Sequence, residues 1–162
     1  MNTTDIGMYF AYNDWANQRI LDQAAHLSSE QLLAPAAVPM GSLFGTLAHT
    51  LVAEVIWRRR WQALPPIDSG DIESYQSFDA LHARWQVEAD ALRAYVASVT
   101  DEDLQRTLHY QNSKGTAFQQ TLWHLMAHMV NHGTEHRSEA AIRLTSAGHS
   151  PGELDLIGYL RQ

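Results

Sequence analysis

The stretch G-T-A-F-Q-Q-T-L-W-H-L-M-A-H-M-V-N-H-G-T-E-H-R-S-E-A-A-I-R-L, Gly115 to Leu144, decides how this chain is read. It contains no Pro, and its one internal Gly is Gly133, so it predicts a single helix of about eight turns. His124, His128, His132 and His136 stand along it at steps of four. On a helix, side chains at i and i+4 have Cβ atoms ~5–6 Å apart, near enough for two imidazoles to hold one ion. Each step of four also turns the side chain by about 40°. Four rungs therefore spread over about 120° and cannot share one metal.

The apolar face of the same helix selects among the rungs. Leu122, Leu125, Met126, Met129, Gly133, Ala140 and Leu144 cluster about one direction. His136 lies roughly 50° from that direction and His132 roughly 90°, while His128 and His124 turn progressively outward. His132 and His136 thus form an inward-facing H-x-x-x-H pair, and His124 and His128 are surface or interface residues. A helix pair alone is also what a His-rich solvated face looks like, so a third donor matters.

His49 supplies a candidate. It lies in a second amphipathic segment, Gly41 to Trp61, whose apolar arc reads Phe44, Ala48, Leu51, Val52, Val55 and Ile56, with His49 at its edge. Two helices burying these stripes against each other could bring His49 to His132 and His136. Three neutral imidazoles with a fourth position open is the donor set of a catalytic metal centre, whereas a closed structural site usually recruits Cys, and this chain has none. Three His suit Zn, Ni, Fe(II) or Mn to differing degrees.

The motifs G-S-L-F-G-T-L-A-H-T-L-V-A-E-V-I-W (Gly41 to Trp57) and L-W-H-L-M-A-H-M-V-N-H-G-T-E-H-R-S-E-A (Leu122 to Ala140) resemble those of the DinB/YfiT-like metalloenzyme family. The opening Y-N-D-W-A-N-Q-R-I-L (Tyr12 to Leu21) and the ending G-H-S-P-G-E-L-D-L-I-G-Y-L (Gly148 to Leu160) are similar too, so the resemblance runs through nearly the whole chain in order. It implies an all-α fold, a four-helix bundle with a short C-terminal helix. It also implies a metal held by one His of the second helix and an H-x-x-x-H of the fourth, which fall on His49, His132 and His136. Family members of known activity are thiol-dependent transferases or isomerases using low-molecular-weight thiols such as mycothiol or bacillithiol. The resemblance therefore points to a metal-dependent enzyme that activates a small thiol cosubstrate, or a water, toward an electrophilic small-molecule substrate. Many members have no assigned reaction, which leaves a non-catalytic metal-binding stress-response protein and a metal-dependent hydrolase as alternatives. The family is often dimeric.

Composition narrows the field. The chain has 162 residues, 45% of them apolar, which suits one domain over residues 1–162 with a real core. A net charge of −7 disfavours nucleic-acid or anionic-membrane binding through bulk electrostatics. Without Cys the protein has no disulfides and no thiol nucleophile of its own. Asp5 and Asp14 stand where a secretory signal would carry cations and an apolar core, and no run of ~18 apolar residues occurs. The expected location is the cytoplasm, without nucleic-acid or membrane partners.

The remaining elements follow from caps and breakers. Helix one is expected from about Thr4 to His26, with Met8, Tyr12, Trp15, Ala16, Ile20 and Leu21 on its stripe and Asn17 and Arg19 off it. Ser28 to Gln31 has capping-box spacing, and Pro35 and Pro39 force an extended link into helix two, which Pro65-Pro66 ends. Arg58, Arg59 and Arg60 complement the dipole of its last turns. Polar Ile67–Tyr75 is long enough to cross an end of the bundle, and helix three spans about Phe78 to Val99. Thr100 to Asp103 caps a turn, Thr107 to Gln111 alternates like a strand, and N-S-K-G (Asn112 to Gly115) turns into helix four. The last helix is expected to have Ser150 as N-cap, Pro151 at its first position and Glu153 completing the box.

A weak internal echo pairs Gly41–His49 with Gly115–His124, suggesting two related hairpins. It would pair His49 with His124, but His124 faces away from the core, so His132 and His136 are preferred. A di-iron carboxylate bundle needs Glu-x-x-His, and no Glu here precedes a His by three. Glu54 lies about 140° round its helix from His49 and is a poor fourth donor. Asn131, Glu135, Arg137 and Glu139 flank the His pair and are candidates for hydrogen bonds to it. Trp123, Ala127, Val130 and Thr134 form an apolar flank that suggests a two-fold homodimer.

Overall fold

The computed structural model describes residues 1–67, 75–112 and 114–162. Each of the four long helices begins where the chain changes from extended to helical. Asn2 opens α1 (Thr3–Ala24) through a capping box with Asp5. Ser42 caps α3 (Leu43–Trp61) and Ser77 caps α4 (Phe78–Ser98), each hydroxyl accepting a first-turn N–H. The fourth, α6 (Leu122–Ser146), starts directly from a strand, with no side-chain cap. Short helices α2 (Ser29–Leu33) and α5 (Asp101–Leu104) carry complete capping boxes, the former on Ser28 and Gln31 as its spacing predicts.

α1 and α3 pack along α6, and α4 closes the bundle against α1 and α3. The fold is the expected all-helical four-helix bundle with short extra elements. Its interior is layered. Leu21, Leu47, Leu51, Leu81, Trp85 and Leu144 fill one end, while Ile6, Phe10, Trp61, Leu104, Met126 and Met129 fill the other. Between these levels Asn13, Asn17, Glu54, Glu88 and Arg137 are buried polar groups. No helix of the described residues is long and apolar enough to cross a membrane.

Three expectations are corrected. The fourth long helix begins at Leu122, and Ala117–Thr121 is instead strand β2, antiparallel to β1 (Thr107–Gln111) with Tyr110 opposite Phe118. The Asn112 carboxamide accepts from the N–H groups of Lys114 and Thr116, and Gly115 takes φ +77°, so the turn folds the segment back before a helix can start. Strand pairing then outcompetes the helical pattern. The last helix, α7 (Leu156–Leu160), is capped by Asp155 rather than Ser150, because Gly152 at φ +73° interrupts any helix from Pro151. That extended piece is strapped to α1, with Arg19 Nε donating to the Pro151 carbonyl and the Tyr12 hydroxyl donating to the Leu154 carbonyl.

The third correction concerns helix phase. Asn17 is buried with Asn13 on the inner face of α1, not off it. On α3 the buried stripe is Leu43, Leu47, Leu51, Glu54 and Val55, and Phe44, Ala48, Val52 and Ile56 are half-buried at its side. Hydrophobicity alone favoured the arc containing Val52 and Ile56, because a buried Glu and two buried Thr are invisible to that criterion. The expectation for Ile67–Tyr75 falls mostly on residues 68–74, outside the described residues.

Candidate metal centre

In the second turn of α3, His49 faces His132 and His136 on the middle turns of α6. The ring centroids of His49 lie 5.3 Å from His132 and 4.7 Å from His136, and those two lie 4.4 Å apart. One donor nitrogen from each residue can be chosen so that all three lie within 4.8 Å of one another. His136 is buried, while His49 and His132 are half-buried, so the cluster opens to solvent on one side. The three residues that helical phase singled out are thus brought together.

Charge on this cluster is suppressed. Burial, then the neighbouring imidazoles of His136, His49 and His128, pulls the His132 pKa down to about 4. Burial and His136 also lower that of His49, with Glu139 acting weakly the other way. Three positive rings at such separations repel one another, and half-burial weakens their hydration. The His49 and His132 rings therefore present lone pairs at neutral pH, which is the state a metal requires. Glu139 adds orientation, its carboxylate lying 2.9 Å from His136 Nδ1. With Nδ1–H donating there, Nε2 is left as the lone-pair nitrogen, the carboxylate–histidine arrangement common behind metal ligands.

Of the four flanking candidates, only Glu139 touches a His of the cluster. Asn131 and Glu135 are exposed. Arg137 turns the opposite way, into the bundle, and is 3% exposed. The ladder divides as its phase implies: His124 and His128 are exposed, His124 against Trp123 and His128 edge-on to Trp57 at 5.3 Å. The pairing of His49 with His124 suggested by the internal echo is not realised.

What the sequence reading missed is the polar layer behind the cluster. Glu54 Oε1 accepts from Asn13 Nδ2 at 2.7 Å and Asn17 Nδ2 at 2.8 Å. The same two side chains accept at their Oδ1 atoms from Arg137 Nη1, at 2.6 and 2.9 Å. Two amides thus stand between a buried carboxylate and a buried guanidinium. Burial pushes the Glu54 carboxyl up, opposed by the two Asn hydrogen bonds and the Arg137 charge. Gly133 makes the space, since a Cβ there would sit 2.7 Å from Arg137 Nη1 and 3.0 Å from Asn13 Oδ1. The available signals were the i, i+4 spacing of Asn13 and Asn17 and a Gly in mid-helix.

The family model described as the DinB family matches residues 1–162. The chain belongs to the DinB family. It is similar to Protein DinB of Bacillus subtilis (strain 168), 26% identical over 163 residues that cover 93% of this chain and 91% of that protein. For this DinB-family chain the donor set suits a divalent ion. Three imidazoles, the buried His136 braced by a carboxylate and the other two half-exposed, match the chemistry of a three-histidine centre.

Proposed function

We propose that this DinB-family chain, acting as one domain, holds a divalent metal ion on His49, His132 and His136 and is a metal-dependent enzyme acting on a small molecule. The observation that carries this reading is the convergence of three imidazoles from two helices on one half-open point. When bound, a divalent ion with a free position lowers the pKa of a thiol or water, supplying a nucleophile at neutral pH. Zn, Ni, Fe(II) and Mn are all compatible with three nitrogens.

The chain's own residues supply positioning. Glu139 fixes the tautomer and ring orientation of His136. The rigid helices α3 and α6 hold the donors at fixed separation, and the half-exposure of His49 and His132 leaves an approach for substrate. No Cys is present, so an attacking thiol comes from solution. A small thiol attacking an electrophilic small molecule is the reading that the family resemblance favours. Attack by water is the alternative within the same site.

The test is the metal content of protein purified without an affinity tag. His49→Ala, His132→Ala and His136→Ala should each lose most of the metal, while His26→Ala and His109→Ala should retain it. Equal retention in all five would refute the site. With Co(II) in the site, an added thiol should produce sulfur-to-metal charge-transfer absorption that His49→Ala lacks. Hydrolysis indifferent to thiol, with no such band, would favour water.

A further inference from the structure

A groove of about 930 Å³ lies beyond the histidine cluster, between the C-terminal turns of α3 and the β1–β2 hairpin. Its walls are largely apolar, including Ile56, Leu64, Ile67, Tyr110 and Phe118, with Arg60 among them. Arg59, His109, Gln111, Asn112 and Gln119 also line it, and sites for small molecules have this size and combine apolar wall with polar groups. Leu64 and Phe118 are exposed apolar side chains at its rim.

The groove and the cluster share one face of α3. At about 100° per residue, Ile56 and Arg60 both fall within roughly 20° of the direction of His49. Trp57 joins the two regions from the side. Its ring meets His128 at 5.3 Å and Tyr110 at 5.3 Å, and His128 in turn lies 5.9 Å from His132. A single indole therefore separates the groove from the histidine ladder.

Arg60 is held at this junction. Its guanidinium carbon sits 4.8 Å from the Trp57 ring and 5.3 Å from the Tyr110 ring, and Nη2 donates to the Gln111 carbonyl at 2.9 Å. The neighbouring Arg58, by contrast, is paired with Glu88. No carboxylate pairs with Arg60 among the described residues. A guanidinium fixed between two aromatic faces, with one hydrogen bond made to a backbone carbonyl, keeps donors free for a planar anion.

We propose that Arg60 receives the carboxylate of a small molecule whose apolar body lies in the groove and whose other end reaches the histidine cluster past Trp57. The last part rests on the metal-enzyme reading above, whereas the carboxylate site does not. The two are separated by working first on metal-free protein.

The probes are phenylbutyrate and its uncharged analogue phenylbutyramide, titrated into metal-free protein by calorimetry at millimolar concentration. Phenylbutyrate should bind, and phenylbutyramide should bind about tenfold more weakly or worse, the loss of one charge-assisted pair. Arg60→Gln should weaken phenylbutyrate to the level of the amide, and Arg60→Lys should recover part of the difference. Because Arg60 also braces the hairpin, the comparison of acid with amide on the unaltered protein stands even if a variant unfolds. Equal affinity for acid and amide, or binding of neither, would overturn the inference. So would binding that needs added Zn and ignores Arg60→Gln, since that places the carboxylate on the metal and leaves the metal reading intact. Arg60-dependent binding would support the groove whatever the metal-content test of His49, His132 and His136 returns, so failure of the one reading is distinguishable from failure of the other.

Discussion

Replacing Arg137 by Met tests the polar layer that ties α1, α3 and α6 together behind the cluster. Met occupies much of the space of the arginine stem, so the change acts mainly on polar groups. It removes the donor at 2.6 Å from Asn13 Oδ1, the donor at 2.9 Å from Asn17 Oδ1, and the Nη2 contact to Thr134 Oγ1 at 2.9 Å. Two buried carbonyl oxygens lose their partners, and Glu54, itself 3% exposed, loses the positive charge that favours its ionised form. Breaking a buried charged pair from one side costs about 3–5 kcal/mol. Against a total stability of about 5–15 kcal/mol this is a large share.

The sign with pH follows from Glu54. Its folded carboxyl already lies above the ordinary value because of burial, and removing Arg137 pushes it further up. The cost of the ionised form is present above that raised value and relieved as pH falls through it. Urea unfolding of metal-free protein should therefore show a larger loss for Arg137→Met at about pH 8 than at about pH 5. Glu54→Gln retains an oxygen acceptor for Asn13 and Asn17 but removes the charge. The double variant should then cost less than the sum of the singles, by about 1–3 kcal/mol. Strict additivity, together with a pH-independent loss, would refute the account of Asn13 and Asn17 as bridges between two charges.

Other expectations follow from neighbouring geometry. Glu139→Gln should keep the fold but weaken metal affinity by about 10–100-fold, measured by chelator competition, because His136 loses its orienting carboxylate. Gly133→Ala should destabilise by about 1–3 kcal/mol in thermal melts, since its Cβ would displace the Arg137 guanidinium or Asn13, outweighing the helical preference for Ala. Metal-free protein should lose stability as pH falls from about 6.5 toward about 4, because the unfolded chain protonates His132 before the folded one does. His132→Gln should flatten that slope, and an unchanged slope would count against the depressed value. If the proposed homodimer exists, sedimentation at micromolar protein should give twice the 18.2 kDa chain mass; Val130, one residue of the suggested flank, is already buried within the chain.

The sequence by itself determined the histidine centre. Which histidines of α6 face α3 is a matter of phase on a regular helix, and the apolar residues Leu125, Met126, Met129 and Ala140 fix that phase without reference to any other segment. His136 and His132 could therefore be told from His128 and His124, and His49 was the one His on the second helix able to meet them. Caps were legible where they act within four residues, as at Ser28 with Gln31. Tertiary structure decided what local rules cannot reach. Ala117–Thr121 became a strand only because Thr107–Gln111 pairs with it, and residues 150–154 stayed out of the helix, strapped to a distant one by Arg19 at the Pro151 carbonyl and Tyr12 at the Leu154 carbonyl. Asn13, Asn17, Glu54 and Arg137 carry no apolar signal that would mark them as buried. They are buried because each satisfies another from a different helix, and a polar group's burial depends on partners that only the assembled bundle supplies.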